Sequence, residues 1–131
     1  MREAAKGIDV VNKIRSLKVE VICLIETRVR ECNMKAIWSD YFADWIGFHN
    51  YQFSTIGRIW FFCRKDIKVA LVDISLQSIT CLLSVGSIEF FVTGIYGCNL
   101  GSGRLSLWQH LIDLKNTIGD KPWLAGVTSI L

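Results

Sequence analysis

Apolar positions along the chain recur first with a helical period and then with a strand period. Residues 3 to 17 put Ala4, Ile8, Val11, Ile14 and Leu17 on one stripe, which predicts an amphipathic helix. "SLKVEVICLIE" then turns to a run rich in β-branched residues, a buried strand that closes at Glu26. Asn33 stands where it could cap a short second helix whose Met34, Ile37, Trp38 and Tyr41 share a face; "DWIGFHNYQFS" then loosens into loop and a short strand. From Gly57 onward the period is two, through "RIWFFCR", "KVALVDIS", "ITCLLSV" and "IEFFVTGIY", the last two joined by Gly86-Ser87 as a type II′ turn. These four segments read as one antiparallel meander. A third helix follows, with Ser102 as cap, Leu107, Leu111, Leu114 and Ile118 as stripe, Lys115 in the last turn and Gly119 just past it; "KPWLAGV" resumes as strand. The order α-β-α-β-β-β-β-α-β predicts an α/β layered sandwich.

Composition narrows the class. With 51% hydrophobic residues the chain has enough apolar surface to offset the entropy of ordering, which excludes a disordered segment. At 131 residues, without repeats or a linker, it reads as a single domain over 1–131. No apolar run approaches the roughly 20 residues that cross a bilayer, and the N-terminus, with Glu3 and Asp9, lacks a secretory h-region. The expected setting is intracellular, with no membrane. Five cysteines, Cys23, Cys32, Cys63, Cys81 and Cys98, have no knuckle or redox spacing, so reduced and mostly buried thiols are expected. A net charge of +3 favours a polyanionic partner without demanding one.

Two places carry candidate chemistry. In "VICLIETRVR" an apolar strand stops at Glu26 and the chain becomes basic at Arg28 and Arg30. In "YGCN" Tyr96 closes the longest strand and Asn99 follows in a turn, with Arg104 and Trp108 entering the next helix. Each has an ordinary reading beside the functional one: a solvated strand end for Glu26, Asn-Leu-Gly turn chemistry for Asn99, and a core position for Trp108.

Together "LIET", "GRIW", "YGCN" before "RLSLWQHLIDL", and "KPWLAG" stand in the order seen in the deoxyribonuclease I-like endonuclease/exonuclease/phosphatase family. The wording most resembles the endonuclease domain of plant non-LTR retrotransposon polyproteins of the long interspersed element type. That resemblance implies an α/β/β/α four-layer sandwich and Mg²⁺-dependent hydrolysis of phosphodiester bonds, with nuclear DNA as partner. It makes Glu26 the metal-ligand glutamate, gives Tyr96 the scissile phosphate to place, and puts Asn99 in the same polar cluster. Arg28 and Arg30 would then contact the nucleic-acid backbone.

The chain also departs from the family pattern. The opening strand with its Asn-x-x-Gly turn is absent, and where the family carries Gly-Asp-Phe-Asn this chain reads "AGVTSIL", with Val127, Thr128 and Ser129 at that place. The closing Ser-Asp-His motif is absent too. A partial sandwich is therefore expected, lacking the first strand and the C-terminal half, with Mg²⁺ not held tightly, Glu26, Tyr96 and Asn99 vestigial, and cleavage lost. Such a remnant would leave Ile59, Phe61, Phe90 and Val92 on an uncovered sheet face and so promote self-association. The alternatives are a non-catalytic nucleic-acid-binding module using Arg28, Arg30, Arg58, Arg64 and Lys65, or a protein-interaction module using Phe61 and Phe90.

Overall fold

A computed structural model describes residues 21–96 and 101–126. The helix expected over residues 3 to 17 lies outside them. The chain runs β1 (Val21–Ile25), α1 (Glu31–Tyr41), β2 (Trp45–His49), a 3₁₀ turn (Tyr51–Phe53), β3 (Ile59–Arg64), β4 (Lys68–Ile74), β5 (Ser78–Val85), β6 (Ile88–Ile95), α2 (Gly101–Ile118) and β7 (Trp123–Gly126). The strands form two sheets, ordered β1-β3-β2 and β4-β5-β6-β7.

The expected four-strand meander is thus divided. β3 does not pair with β4; it lies antiparallel between β1 and β2, with Cys63 opposite Val21 and Trp60 opposite His49. The physical reason is its composition. "IWFFC" is apolar at consecutive positions, so it needs cover on both faces and works as a central strand. The short turn after Arg64 carries the chain across, with the Ile67 amide donating to the Arg64 carbonyl at 3.1 Å. β4, β5 and β6 keep the expected antiparallel pairing, and β7 joins β6 in parallel after the α2 crossover.

The inner faces of the two sheets close on each other. Ile59, Phe61 and Cys63 with Val21 and Cys23 pack against Ile79, Cys81, Leu83, Phe90 and Val92. The expectation of an uncovered face is therefore overturned: Ile59 and Phe61 are 0% exposed and Phe90 and Val92 1%. The protein's own second sheet covers them, which removes the basis for self-association or partner binding through Phe61 and Phe90. Where β1 and β6 come closest, a side chain at Gly94 would collide with the Cys23 sulfur, so glycine sets the spacing of the sheets. Burial pushes the Cys23 thiol up to about 12 and the Cys63 thiol to about 11, the latter helped by the charge of Asp66; Cys81 is raised as well. These three are buried free thiols, Cys32 is exposed, and Cys98 lies outside the described residues.

A helix covers each outer face. Met34, Ile37 and Trp38 of α1 lie on Trp60 and Phe62, where Phe42 stacks on Phe62 with ring centroids 3.9 Å apart. Leu107, Leu111, Leu114 and Ile118 of α2 lie on Phe91, Leu82, Ile95 and Trp123, as their spacing predicts. The layers are α/β/β/α. The Gly86-Ser87 turn also forms as expected: Gly86 has φ +60 and Ser87 does not share a positive φ, as a type II′ turn requires.

Helix ends differ by small steps. α1 begins at Glu31 with Arg30 in the N-cap position, so Asn33 sits inside the first turn, and Tyr41 is 75% exposed instead of sharing the buried face. Ser102 likewise lies within α2, which starts at Gly101. Gly119 ends α2 with φ +65, and its carbonyl accepts from Lys115 Nζ at 3.0 Å.

Candidate functional site

Past Ile25 the chain continues alongside the segment before β3. The Glu26 amide donates to the Arg58 carbonyl at 2.6 Å, the Arg28 amide to the Gly57 carbonyl at 3.0 Å, and the Gly57 amide to the Val29 carbonyl at 2.8 Å. To keep that path Glu26 and Arg28 adopt left-handed backbone, φ 51 and φ 55. Each such non-glycine residue costs roughly 1 kcal/mol, a strain that tends to collect at functional sites. Gly57 has to be glycine, since a Cβ there would collide with Thr27 Oγ1. Glu26, Arg28 and Arg30 are all exposed, and Arg30 forms an antiparallel bridge with Ile56.

The support beneath this edge comes from residues that periodicity does not flag. Asn50 is 1% exposed; its Nδ2 donates to the carbonyls of Ser75 at 3.1 Å and Leu76 at 2.9 Å, while Oδ1 accepts from the Ile59 amide at 3.1 Å. It ties the start of β3 to the β4–β5 turn, and so one sheet to the other. Tyr51 Oη donates to the Val29 carbonyl at 2.6 Å and accepts from Trp60 Nε1 at 3.1 Å. Burial raises the Tyr51 phenol and lowers the neighbouring His49 imidazole, whose Nδ1 accepts from the Tyr51 amide at 3.2 Å.

Tyr96 reaches the same edge from the other sheet. Its amide donates to the Gln77 carbonyl at 2.8 Å just past β6, and its Oη accepts from Arg58 Nη1 at 2.9 Å. The Arg58 guanidinium also lies 5.2 Å from the Tyr96 ring centroid, a cation–π distance. Glu26, Arg28 and Tyr96 are thus brought to one end of the sandwich, from the ends of β1 and β6. Asn99 and Val127 to Ser129 lie outside the described residues. Among the described residues no three His, Cys, Asp or Glu side chains converge.

Elsewhere, His110 Nε2 lies 2.6 Å from Asp73 Oδ2, tying α2 to β4 beside a shallow groove lined by Ser75, Leu76, Gln77, Ser106 and Leu107. Trp108 is 62% exposed, so it faces solvent and not the core. No helix among the described residues is long and apolar enough to cross a membrane.

The fold and this edge define a two-sheet α/β/β/α protein with a polar, partly cationic site where the strands end. Among solved structures the chain is similar to TDP2 of D. rerio, in a crystal structure complexed with single strand DNA product, at 9% identity and a TM-score of 0.47. The match takes in 95% of this chain and 52% of that one, so the chain spans about half the length of that structure. No family model matches the sequence, and no curated protein matches it.

Proposed function

We propose that this chain is part of a deoxyribonuclease I-like phosphodiesterase domain of retroelement origin, and that it holds DNA by its phosphates without nicking it. The observation that carries this reading is the convergence of Glu26 and Tyr96 from two different sheets, joined through the Arg58–Tyr96 hydrogen bond of 2.9 Å. In the family resemblance Glu26 is the metal-ligand glutamate and Tyr96 places the scissile phosphate, and here they stand at one end of the sandwich, Glu26 exposed and Tyr96 half-buried. Arg28 and Arg30 extend the edge with positive charge suited to backbone phosphates. Cleavage is lost on this reading because "AGVTSIL" offers a valine and two hydroxyls where the family pattern offers a carboxylate and an amide.

Binding of a fluorescent single-stranded oligonucleotide, followed by anisotropy across a salt series, tests the reading. Affinity is expected to fall linearly with salt on logarithmic axes. Arg28→Gln and Arg30→Gln should each flatten the slope by roughly 0.7. Binding that ignores salt would contradict it.

A further inference from the structure

We infer that Arg58 is an anion-binding residue, its guanidinium held in place for a phosphate oxygen at the end of the sandwich. The inference rests on the phosphate-binding reading above and names the group that does the binding. Arg58 directly precedes β3, and its carbonyl accepts from the Glu26 amide at 2.6 Å, so its backbone is fixed against the end of β1. Its side chain crosses to the other sheet and meets Tyr96 by one hydrogen bond and by the ring face.

That leaves the cation under-satisfied. Guanidinium has five N–H donors, and among the described residues Arg58 Nε is buried with no hydrogen-bond partner. Among the described residues no carboxylate lies within ion-pair distance of Arg58. A half-buried cation without a counter-charge is costly, and a buried donor without an acceptor asks for a reason. A tetrahedral oxyanion supplies the missing counter-charge, its oxygens accepting from guanidinium N–H groups other than the enclosed Nε. Tyr96 adds to the fit. Its oxygen already accepts from Arg58, so its own hydrogen is available to a second acceptor, which a phosphate oxygen provides.

The test uses the full chain with inorganic phosphate and with a labelled oligothymidylate as probes. Arg58→Met removes the charge at similar volume, and Arg58→Lys keeps the charge but loses the fork. Arg58→Met is expected to weaken phosphate binding about tenfold or more and to abolish the rise in melting temperature that phosphate gives the wild type. Its own melting temperature without phosphate is expected to equal or exceed that of the wild type, because a half-buried charge with no carboxylate partner among the described residues has gone. Should Arg58→Met not fold, Arg58→Lys carries the test: weaker phosphate binding supports the inference, and wild-type binding overturns it. Two outcomes separate this claim from the DNA reading. Phosphate binding that depends on Arg58, with no salt-dependent DNA binding, sinks the DNA reading and keeps this one. Salt-dependent DNA binding that neither Arg58 variant alters sinks this one and keeps the DNA reading.

Discussion

Asn50 is a joint between the two sheets that the sequence does not single out. One buried amide satisfies three backbone groups on both sheets, at 2.9 to 3.1 Å. Removing it strands those groups in the interior, so Asn50→Ala is expected to cost about 3 kcal/mol in urea unfolding. A loss under about 0.5 kcal/mol would show that water replaces the amide there. The buried thiols make a second prediction at this scale. From the ordinary thiol value of 9.0, burial pushes folded Cys23 up to about 12 and Cys63 up to about 11. Because the folded values are raised, the stability they contribute is complete below pH 9.0 and is lost as pH climbs through the folded values. The urea midpoint should hold level up to that point and then fall; a Cys23→Ala, Cys63→Ala double variant should fall less. The positions of Glu26 and Tyr96 just past the ends of β1 and β6 were legible because strand ends announce themselves where an apolar run stops. Asn50 was not, since a polar residue in a loosely patterned stretch looks the same whether it is solvated or buried. Nor was the Arg58–Tyr96 pair, whose members stand 38 positions apart and meet only across two sheets.

At the scale of elements, period reading succeeds for α2 and for β4 to β6 and fails for the partner of β3. A five-residue apolar run says that a strand is covered on both faces, but not by which sheet. Neighbouring alternating strands invite a meander, and only packing shows that β3 belongs to β1 and β2. α2 gives a clean test of which stripe is structural. Leu107 and Leu111 are buried on the sheet while Trp108 is exposed. Leu111→Ala is therefore expected to destabilise by roughly 2–4 kcal/mol, and Trp108→Ala to change stability by less than about 0.5 kcal/mol, as read from chemical denaturation. Comparable losses from both would mean that something covers Trp108. The misplaced caps at Asn33 and Ser102 reflect a general weakness of the sequence signal, since a polar residue one or two places inside the first turn looks like a cap.

For the whole molecule, the layered α/β/β/α architecture was legible from the order of elements together with the family resemblance. The closed core was not, because its closure depends on β3 changing sheets. That change buries Phe61 against the four-stranded sheet and brings the ends of β1 and β6 together, so the same event that completes the core also assembles the edge where Glu26, Arg58 and Tyr96 meet. The central claim is that this edge grips phosphate but does not break the ester. Its most direct test is relaxation of supercoiled plasmid by the purified chain in Mg²⁺, beside Glu26→Gln. The account predicts that neither protein raises nicking above the buffer rate while both still bind the DNA; nicking by the wild type that Glu26→Gln abolishes would contradict it.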